Sequence, residues 1–334
     1  MGTNNSLSRV VRLLAGAAFL VAMAACSAPF GLGTPSTRAL ENGAIASLTG
    51  SGSFEITGTY AQDDGPWSVD LQVAKPASEH MVVSTLNTRL EAIVLNDTAY
   101  FRGQAFLSSH MGPDPISRNL VRAAGNSWWR GTARQAPRLP DFTDGAAFAS
   151  TFLGSVVARR VDHLSVDGVE AVELSGARGD VFVSEAAPYQ VLRVHLTQRA
   201  VIDNISKADL RYSNFNRDFQ ISAPSDVIDF SNLSTLPPVY TVVSVDASGC
   251  ASPCAVSAVV KNLGGKTGAQ APSTVTFTVT DSASGQVLGS CKTQVAPDVG
   301  YNNTTTVGCT VAGLGGQAGS AVVTATADNP GRGS

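Results

Sequence analysis

The stretches SFEITGTY (residues 53–60) and WSVDLQV (residues 67–73) decide the fold of this chain. In both, apolar and polar residues alternate with a period of two, so that neighbouring side chains point to opposite faces of the backbone. One face is apolar and the other is polar, which is typical of half-buried strands in an antiparallel sheet. The residues between the two stretches, 63–66, have the composition of a turn.

A few helices and more strands follow. Residues 38–48 are predicted to form a short amphipathic helix from the spacing of their apolar residues. Residues 115–124 and 141–153 are also predicted to be helical, the second with Asp141 or Thr143 as its N-cap. Asn96 and Asp97 lie between two strand-like runs, so a hairpin is predicted there. Helices grouped among meandering strands predict an α+β fold.

A second domain is predicted beyond Leu236-Pro237-Pro238. Residues 239–328 contain six or seven short runs rich in Val and Thr, with turns such as Ser284-Gly285 between them. This pattern is typical of an all-β, immunoglobulin-like sandwich. The tail 329–334 is expected to fray.

We interpret the N-terminal residues as an export signal. Arg9 and Arg12 precede an uncharged run over 13–25, which is shorter than the roughly 20 residues needed to cross a bilayer. The small residues before Cys26 are similar to a bacterial lipobox, in which the cysteine thiol is lipidated. We therefore expect a lipoprotein signal peptide at 1–25 and a tether at 26–37. The cysteine then anchors the chain to the cell membrane on its extracytoplasmic side. The alternative is an ordinary secretory signal with Cys26 as a bystander.

The low content and the sign of charge limit the classes of partner that we expect this chain to bind. Only 15% of residues are charged, and the formal net charge is -3. Removal of the signal peptide takes away two arginines, so 21 basic residues face 26 acidic ones and the net charge becomes -5. We do not expect nucleic-acid binding, because nucleic-acid-binding proteins carry an excess of basic residues. Anionic lipid head groups would not attract this acidic chain electrostatically.

The four remaining cysteines all lie in the predicted second domain. Their even number predicts disulfides in an oxidising compartment, and three pairings are possible. We favour Cys250–Cys254, which would close a tight loop, together with Cys291–Cys309, which flank a turn-like stretch. A metal site is not expected, because no histidine lies near these cysteines.

Three segments of the first domain look familiar in their order: DTAYFRG (97–103), NSWWR (126–130) and EAAPYQVLRV (185–194). They are joined by RYSNF (211–215), which runs into ISAP (221–224). This order resembles the actinobacterial LppX/LprG-type lipoproteins of the LolA/LolB-like superfamily. The resemblance implies that residues 38–235 form a LolA-like lipid-binding domain, in which a curved antiparallel half-barrel sheet wraps over helices. The last domain resembles CARDB-type immunoglobulin-like modules.

The resemblance also implies an apolar cavity between sheet and helices. Its lining is expected from one alternating face of the first strands and from the helical residues opposite: Phe54, Ile56, Trp67, Val69, Leu71, Val73, Phe148 and Phe152. A cavity for a ligand should leave a few hundred cubic ångströms free of side chains, and charged groups should be absent from it.

No catalytic constellation is evident, and we expect no enzyme activity, no cofactor and no metal. Trp128-Trp129 has two interpretations: a shelf on which a ligand stacks, or one ring in the core with the other at the rim. The main hypothesis is a membrane-anchored exported lipoprotein that binds or carries a lipid or glycolipid. The alternative is a structural or adapter lipoprotein whose sandwich domain binds protein or glycan, with the protein partner unknown. A ligand-sized apolar void would favour the carrier and a filled core the adapter.

Overall fold

The computed structural model describes residues 34–62, 65–110, 114–154, 156–229, 231–251, 253–312 and 321–332. The expected signal peptide, the lipobox with Cys26 and most of the tether therefore lie outside the described residues.

Strands dominate the described chain. The helices are α1 Thr37–Gly50, α2 Gln104–His110, α3 Pro115–Ala124, α4 Pro140–Thr143 and α5 Gly145–Phe148, with 3-10 turns at Ala133–Gln135 and Leu233–Thr235 and a π-helical turn at Ala149–Leu153. The strands up to the linker are β1 Ser53–Gln62, β2 Gly65–Ala74, β3 Ser78–Ser84, β4 Arg89–Leu95, β5 Thr98–Arg102, β6 Trp128–Thr132, β7 Arg159–Val166, β8 Val169–Ser175, β9 Gly179–Ser184, β10 Val191–Leu196, β11 Val201–Ile202, β12 Ile205–Ser213 and β13 Val227–Asp229. Those after it are β14 Tyr240–Asp246, β15 Cys254–Asn262, β16 Thr274–Asp281, β17 Val287–Gln294, β18 Thr304–Val311 and β19 Ala321–Asp328.

The first thirteen strands form one sheet. Its order is β13-β6-β5-β4-β3-β2-β1-β12-β10-β9-β8-β7, with β11 paired to β12. Strands β1 to β6 run as an antiparallel meander, and β12 closes against β1 to join it to a second meander. The outermost pair, β13 with β6, is parallel. We call the face that packs against the helices the inner face and the opposite one the outer face.

The alternating stretches quoted first pair with each other, as Phe54 with Val73 and Ile56 with Leu71. Their apolar residues are buried on the inner face and their polar residues lie on the outer face. Gly58 is needed where β1 meets β12, because a Cβ at this position would lie 2.1 Å from the carbonyl oxygen of Asp209.

Helix α1 begins at an N-cap, where the Ser36 hydroxyl accepts a hydrogen bond from the Ala39 amide at 3.2 Å. It buries Leu40, Ala44, Ser47 and Leu48 against the sheet, so the helix predicted over 38–48 is present. At its C-terminal end, Lys75 Nζ donates to the carbonyl of Leu48, which is the favourable end of a helix for a cation. The helix predicted over 115–124 is α3, whereas 141–153 is divided among α4, α5 and the π-helical turn.

The predicted α+β fold is wrong. Strands account for 48% of the described residues and helices for 17%. The large sheet is mixed and ends in two edges, β13 and β7, rather than forming a LolA-like half-barrel over helices. The alternation correctly located many strands, but it carries no information about which distant strands pair. The parallel contact between β13 and β6, about a hundred residues apart, lies beyond any local pattern.

The expected immunoglobulin-like sandwich is also wrong. In the described residues, the C-terminal unit, β14 to β19, contains two three-stranded antiparallel sheets ordered β14-β15-β18 and β17-β16-β19. They share one core, with Tyr240, Val260 and Phe277 among its fully buried residues. An immunoglobulin constant-type domain has seven strands divided four and three, which this unit does not match.

A buried asparagine holds the first residues of the C-terminal unit, directly after the linker. The side-chain oxygen of Asn262 accepts from the amides of Val239 and Gly264, both at 2.9 Å. Its amide group donates to the carbonyls of Gly265 and Val299, both at 2.7 Å. All four hydrogen-bonding positions of this fully buried side chain are thus used.

The tail was expected to fray, but residues 329–332 are held. The Asn329 side chain bonds both main-chain groups of Tyr240, at 2.8 and 3.0 Å. The Arg332 amide donates to the carbonyl of Ala123 at 2.9 Å, and its guanidinium pairs with Asp226. The tail therefore connects the C-terminal unit to the large sheet a second time.

Candidate functional site

The residues expected to line a lipid cavity lie in the core. Seven of them are buried: Phe54, Ile56, Val69, Leu71, Val73, Phe148 and Phe152. Trp67 is half-buried and packs edge-on against Phe106, with ring centroids 5.9 Å apart. All eight belong to or pack against a single hydrophobic core.

Aromatic rings fill the space between the sheet and the helices. The rings of Phe148 and Phe152 are 5.0 Å apart, and those of Phe142 and Phe152 are 5.4 Å apart. Phe148 reaches the sheet through Tyr212 at 6.4 Å, and Tyr212 reaches Phe54 at 6.3 Å. These are ordinary packing distances for aromatic side chains. Where a carrier would leave an apolar void, this chain has closely packed rings.

A carboxylate occupies the inner face. Glu79 of β3 pairs with Val73 on one side and Val94 on the other, so it shares their face. It lines two cavities at the end of β3, of about 690 and about 460 Å³. Burial raises the pKa of Glu79, and the charge of Arg138 opposes this rise. The expectation of an inner face free of charge therefore does not hold.

A third cavity touches the predicted lining only at Val69. Its volume is about 260 Å³, and Met81 and Val83 form its apolar wall. Arg138 and Asp203 line it as well. The volume falls below the roughly 300–1,000 Å³ of typical ligand pockets, so this space does not replace the expected lipid cavity.

The outer face of β3 to β6 carries a fixed group of polar and aromatic side chains. Glu91 accepts from Arg102, with Nε–Oε2 at 3.2 Å and Nη2–Oε2 at 2.5 Å, and its other oxygen lies 2.9 Å from His80 Nε2. The Arg102 guanidinium lies over the ring of Trp128, 4.6 Å from its centroid. Cation–π contact of this kind adds to the ion pair in holding the guanidinium still.

Partly exposed apolar residues adjoin this group. Ile93 and Tyr100 pair across β4 and β5 on the same face, and both are half-buried. We define the outer patch as His80, Glu91, Ile93, Tyr100, Arg102 and Trp128.

A cavity of about 500 Å³ opens beside the outer patch. It is lined by Asn87, Arg89, Glu91, Arg102, Gly103, Gln104, Ala105 and Asn126. Most of these groups are polar, and two of the three charged ones are arginines. Gly103 brings the start of α2 against β4, because a Cβ there would lie 2.2 Å from the carbonyl oxygen of Arg89.

Electrostatics keep the patch ionised. Burial alone would raise the pKa of Glu91, but hydrogen bonds from Arg102 and His80 outweigh it, so the pKa of Glu91 is lowered. On the neighbouring strand, burial and then the charge of Glu55 raise the pKa of Asp70, while His80 and Arg89 act in the opposite direction. Glu91 is thus a stable anion that orients Arg102.

The sequence located part of this patch. The second interpretation of the tryptophan pair is confirmed, since Trp129 is in the core and Trp128 lies at the rim. The pairing of Glu91 with Arg102 was missed, although the predicted hairpin around Asn96-Asp97 implies it when residues are counted outward from the turn. The contact of Arg102 with Trp128 had no local signal, because a two-helix insertion separates β5 from β6.

In the C-terminal unit, Cys250 is joined to Cys254 and Cys291 to Cys309, with S–S distances of 2.03 and 1.98 Å. Among the described residues there is no cluster of three or more metal-ligating side chains. Within the same residues, no helix has the length and apolarity needed to cross a membrane.

No protein-family model matches this chain, and no curated protein matches it. Among solved structures, similarity is found to MucB in complex with the periplasmic part of MucA, at 13% identity and a TM-score of 0.30, covering 80% of this chain and 91% of that one. It is also found to the Pseudomonas aeruginosa MucA/MucB complex, at 13% identity and a TM-score of 0.32, covering 82% and 94%. At these scores we take neither a function nor a partner from the two complexes.

The expected membership of the LppX/LprG-type lipoproteins is therefore wrong. No family model supports it, and the solved structures reported above are of a different protein. The four segments that suggested it are short and far apart in the chain, so they carry little information about the fold.

Proposed function

We propose that this chain is an exported, lipid-anchored adapter that binds a protein partner through the outer patch. The observation that carries the proposal is the arginine–tryptophan stack on the outer face of a sheet whose inner face packs against aromatic rings. Tyr, Trp and Arg are the residue types that dominate binding energy in protein interfaces. Here Tyr100, Trp128 and Arg102 lie together and are neither buried nor fully exposed.

The filled core argues for an adapter over a lipid carrier. The packed rings of Phe142, Phe148 and Phe152 occupy the space that an acyl chain would need. Glu79 adds a carboxylate to the inner face, and burial of an unpaired charge beside an alkyl chain would cost several kcal/mol. An adapter requires neither a cavity nor a catalytic group.

Charge favours an acidic partner. The chain as a whole is acidic, and this region of the outer face holds three arginines, Arg89, Arg102 and Arg130, beside the carboxylates of Glu91, Asp229 and, on the neighbouring strand, Asp70. Arg102 and Arg130 are paired with Glu91 and Asp229, and Arg89 makes no ion pair with any described residue. Complementary charge steers partners to such a surface and sets their orientation.

Export and anchoring are part of the proposal. They are supported by the uncharged run that ends at Cys26 and by the paired cysteines of the C-terminal unit. Disulfides persist in oxidising compartments outside the cytoplasm. The patch would then be presented to partners on the outer side of the membrane.

Site-specific photocrosslinking tests the adapter. A photoreactive phenylalanine analogue at Tyr100 of the full-length chain, irradiated in the native host, should give a discrete adduct with one protein. The matched control is the same analogue at Thr278, on the face of β16 that points away from the C-terminal core. Equal adducts at both positions, or none at Tyr100, contradict the proposal. Recovery of stoichiometric lipid with the detergent-free protein by native mass spectrometry would instead favour the carrier.

A further inference from the structure

We propose that the cavity of about 500 Å³ beside the outer patch binds the carboxylate of an acidic side chain. That this acidic side chain belongs to a protein partner rests on the proposed adapter function. The site itself rests on the arrangement of Arg89, Arg102 and the surrounding amide side chains.

Arg102 is held in place while part of its guanidinium remains available. Nε and Nη2 donate to Glu91, and the flat face lies against Trp128. Nη1 donates to none of the described residues. A guanidinium whose position is already fixed loses less side-chain entropy when it binds a ligand.

Arg89 supplies a guanidinium that forms no ion pair with the described residues, although its charge acts on Asp70 of β2. The Arg89 side chain is exposed and lies two residues before Glu91 on the same face of β4. Two guanidiniums therefore face one carboxylate on the cavity wall. One incoming anion would balance these charges.

Neutral donors complete the wall. The side-chain amides of Asn87, Gln104 and Asn126 line the cavity. The close approach at Gly103 holds the first residue of α2 next to β4. Planar carboxylates fit guanidinium and amide donors in pairs of nearly parallel hydrogen bonds. The cavity is larger than one carboxylate, so a side chain can enter together with part of its backbone.

The same hydrogen-bond donors could bind other ligands, and the chemistry of each ligand predicts how it would differ from a carboxylate. A phosphate pairs with guanidiniums through two oxygens as a carboxylate does, but inorganic phosphate brings no backbone groups for Asn87, Gln104 and Asn126 to bind. A neutral amide would use Asn87, Gln104 and Asn126 but would gain little from Arg89. An acidic side chain brings the negative charge, the two-oxygen edge and neighbouring backbone groups together, so it uses the guanidiniums and the amide side chains of the cavity at once.

The experiment is a titration of the full chain carrying ¹⁵N-labelled arginine, with the Nε–H signals of Arg89 and Arg102 observed by NMR. The probes are the blocked peptides acetyl-Gly-Glu-Gly-amide and acetyl-Gly-Gln-Gly-amide, and inorganic phosphate. We expect saturable shifts with the glutamate peptide and at least tenfold weaker binding of the glutamine peptide and of phosphate.

Variants locate the site. Arg89→Gln should weaken the glutamate peptide at least tenfold, and the exposed Asn126→Asp should weaken it by adding a like charge. Arg178→Gln is the matched control, since Arg178 is exposed in the turn between β8 and β9 and lines none of the cavities described above. Binding that survives Arg89→Gln, an absence of saturable shifts, or phosphate binding as tight as that of the glutamate peptide overturns the proposal.

The inference and the adapter function can fail separately. If the Tyr100 adduct persists in the Arg89→Gln chain, the adapter stands and the carboxylate site does not serve it. If the glutamate peptide binds but no protein adduct forms at Tyr100, the carboxylate site stands and the adapter function falls.

Discussion

Arg332, near the end of the chain, forms an ion pair with Asp226, which lies just before the last strand of the large sheet. The same guanidinium donates to the carbonyl of Thr235 at 3.2 Å. Gly331, with φ of +67°, brings the tail so close to the carbonyl of Ala123 that a Cβ would lie 2.7 Å from it. The covalent linker and this tail are thus two separate connections between the C-terminal unit and the sheet.

Arg332→Ala should release the tail without unfolding either core. We expect faster proteolysis in the linker and two separate calorimetric transitions, because the units would then be held by one connection only. The loss should be about 1–2 kcal/mol, since hydrogen bonds to a charged group are lost. The reversed pair, Asp226→Arg with Arg332→Asp, should restore part of the protection. Linker proteolysis at the wild-type rate would show that the tail contact does not couple the units.

Asn262→Ala should be strongly destabilising. It leaves the amides of Val239 and Gly264 and the carbonyls of Gly265 and Val299 without their partner in a buried place. The free energy of unfolding should fall by about 3 kcal/mol or more. Urea denaturation measures this, with Asn87→Ala, an exposed asparagine, as the control. A loss no larger than that of the control would contradict the role given to this side chain.

Asp203→Asn should stabilise the protein near neutral pH. The carboxylate of Asp203 accepts from the Asp141 amide at 2.9 Å, next to the buried Tyr212, and Arg138 lines the same cavity. Burial raises the pKa of Asp203 to about 6, the hydrogen bond from the Asp141 amide opposes the rise, and the charge of Asp141 adds to it.

Because this pKa is raised on folding, the folded wild type binds the extra proton, and its stability falls as the pH rises from about 4 to about 6. Asparagine keeps the acceptor and removes the charge, so the variant should gain about 1 kcal/mol at pH 7.5, allowing for solvent screening. The gain should vanish at pH 3.5. Denaturation curves between pH 3.5 and pH 7.5 measure this gain in stability, with Asp218→Asn, at an exposed position, as the control. A gain that does not depend on pH would refute the raised pKa of Asp203.

The disulfide between Cys291 and Cys309 should carry more stability than the one between Cys250 and Cys254. In the chain-entropy model, closing a loop of 18 residues contributes about 3 kcal/mol, whereas a four-residue separation contributes about 2 kcal/mol. Replacing each pair by serines and comparing urea midpoints measures the difference. Peptide mapping without reduction should find both bridges, and a free thiol at Cys291 or Cys309 would contradict the pairing.

Cys26→Ala should leave the chain without a lipid anchor. The uncharged run and the small residues before this cysteine are the reason for the expectation. Metabolic labelling with a fatty-acid probe should be lost, and the protein should move from the membrane to the soluble fraction. Continued labelling of the variant would show that the lipid is attached at a residue other than Cys26.

The sequence by itself determined much of the local structure. The period of two in 53–60 and 67–73 assigned each residue to an apolar or a polar face, because successive side chains of a strand point to opposite sides of the sheet. The helix predicted over 115–124 is α3. The turn at Asn96-Asp97 implies which residues of its hairpin face each other.

Only the tertiary structure decided whether the inner face is open. The apolar character of Phe54 and Phe148 fits a cavity wall and a packed core equally well. The two cases differ in whether rings from distant parts of the chain, such as that of Tyr212, pack against them. The same holds for the stack of Arg102 on Trp128. Such contacts join segments far apart in the chain, and packing of the whole chain selects them, whereas a local pattern records only the face on which each side chain lies.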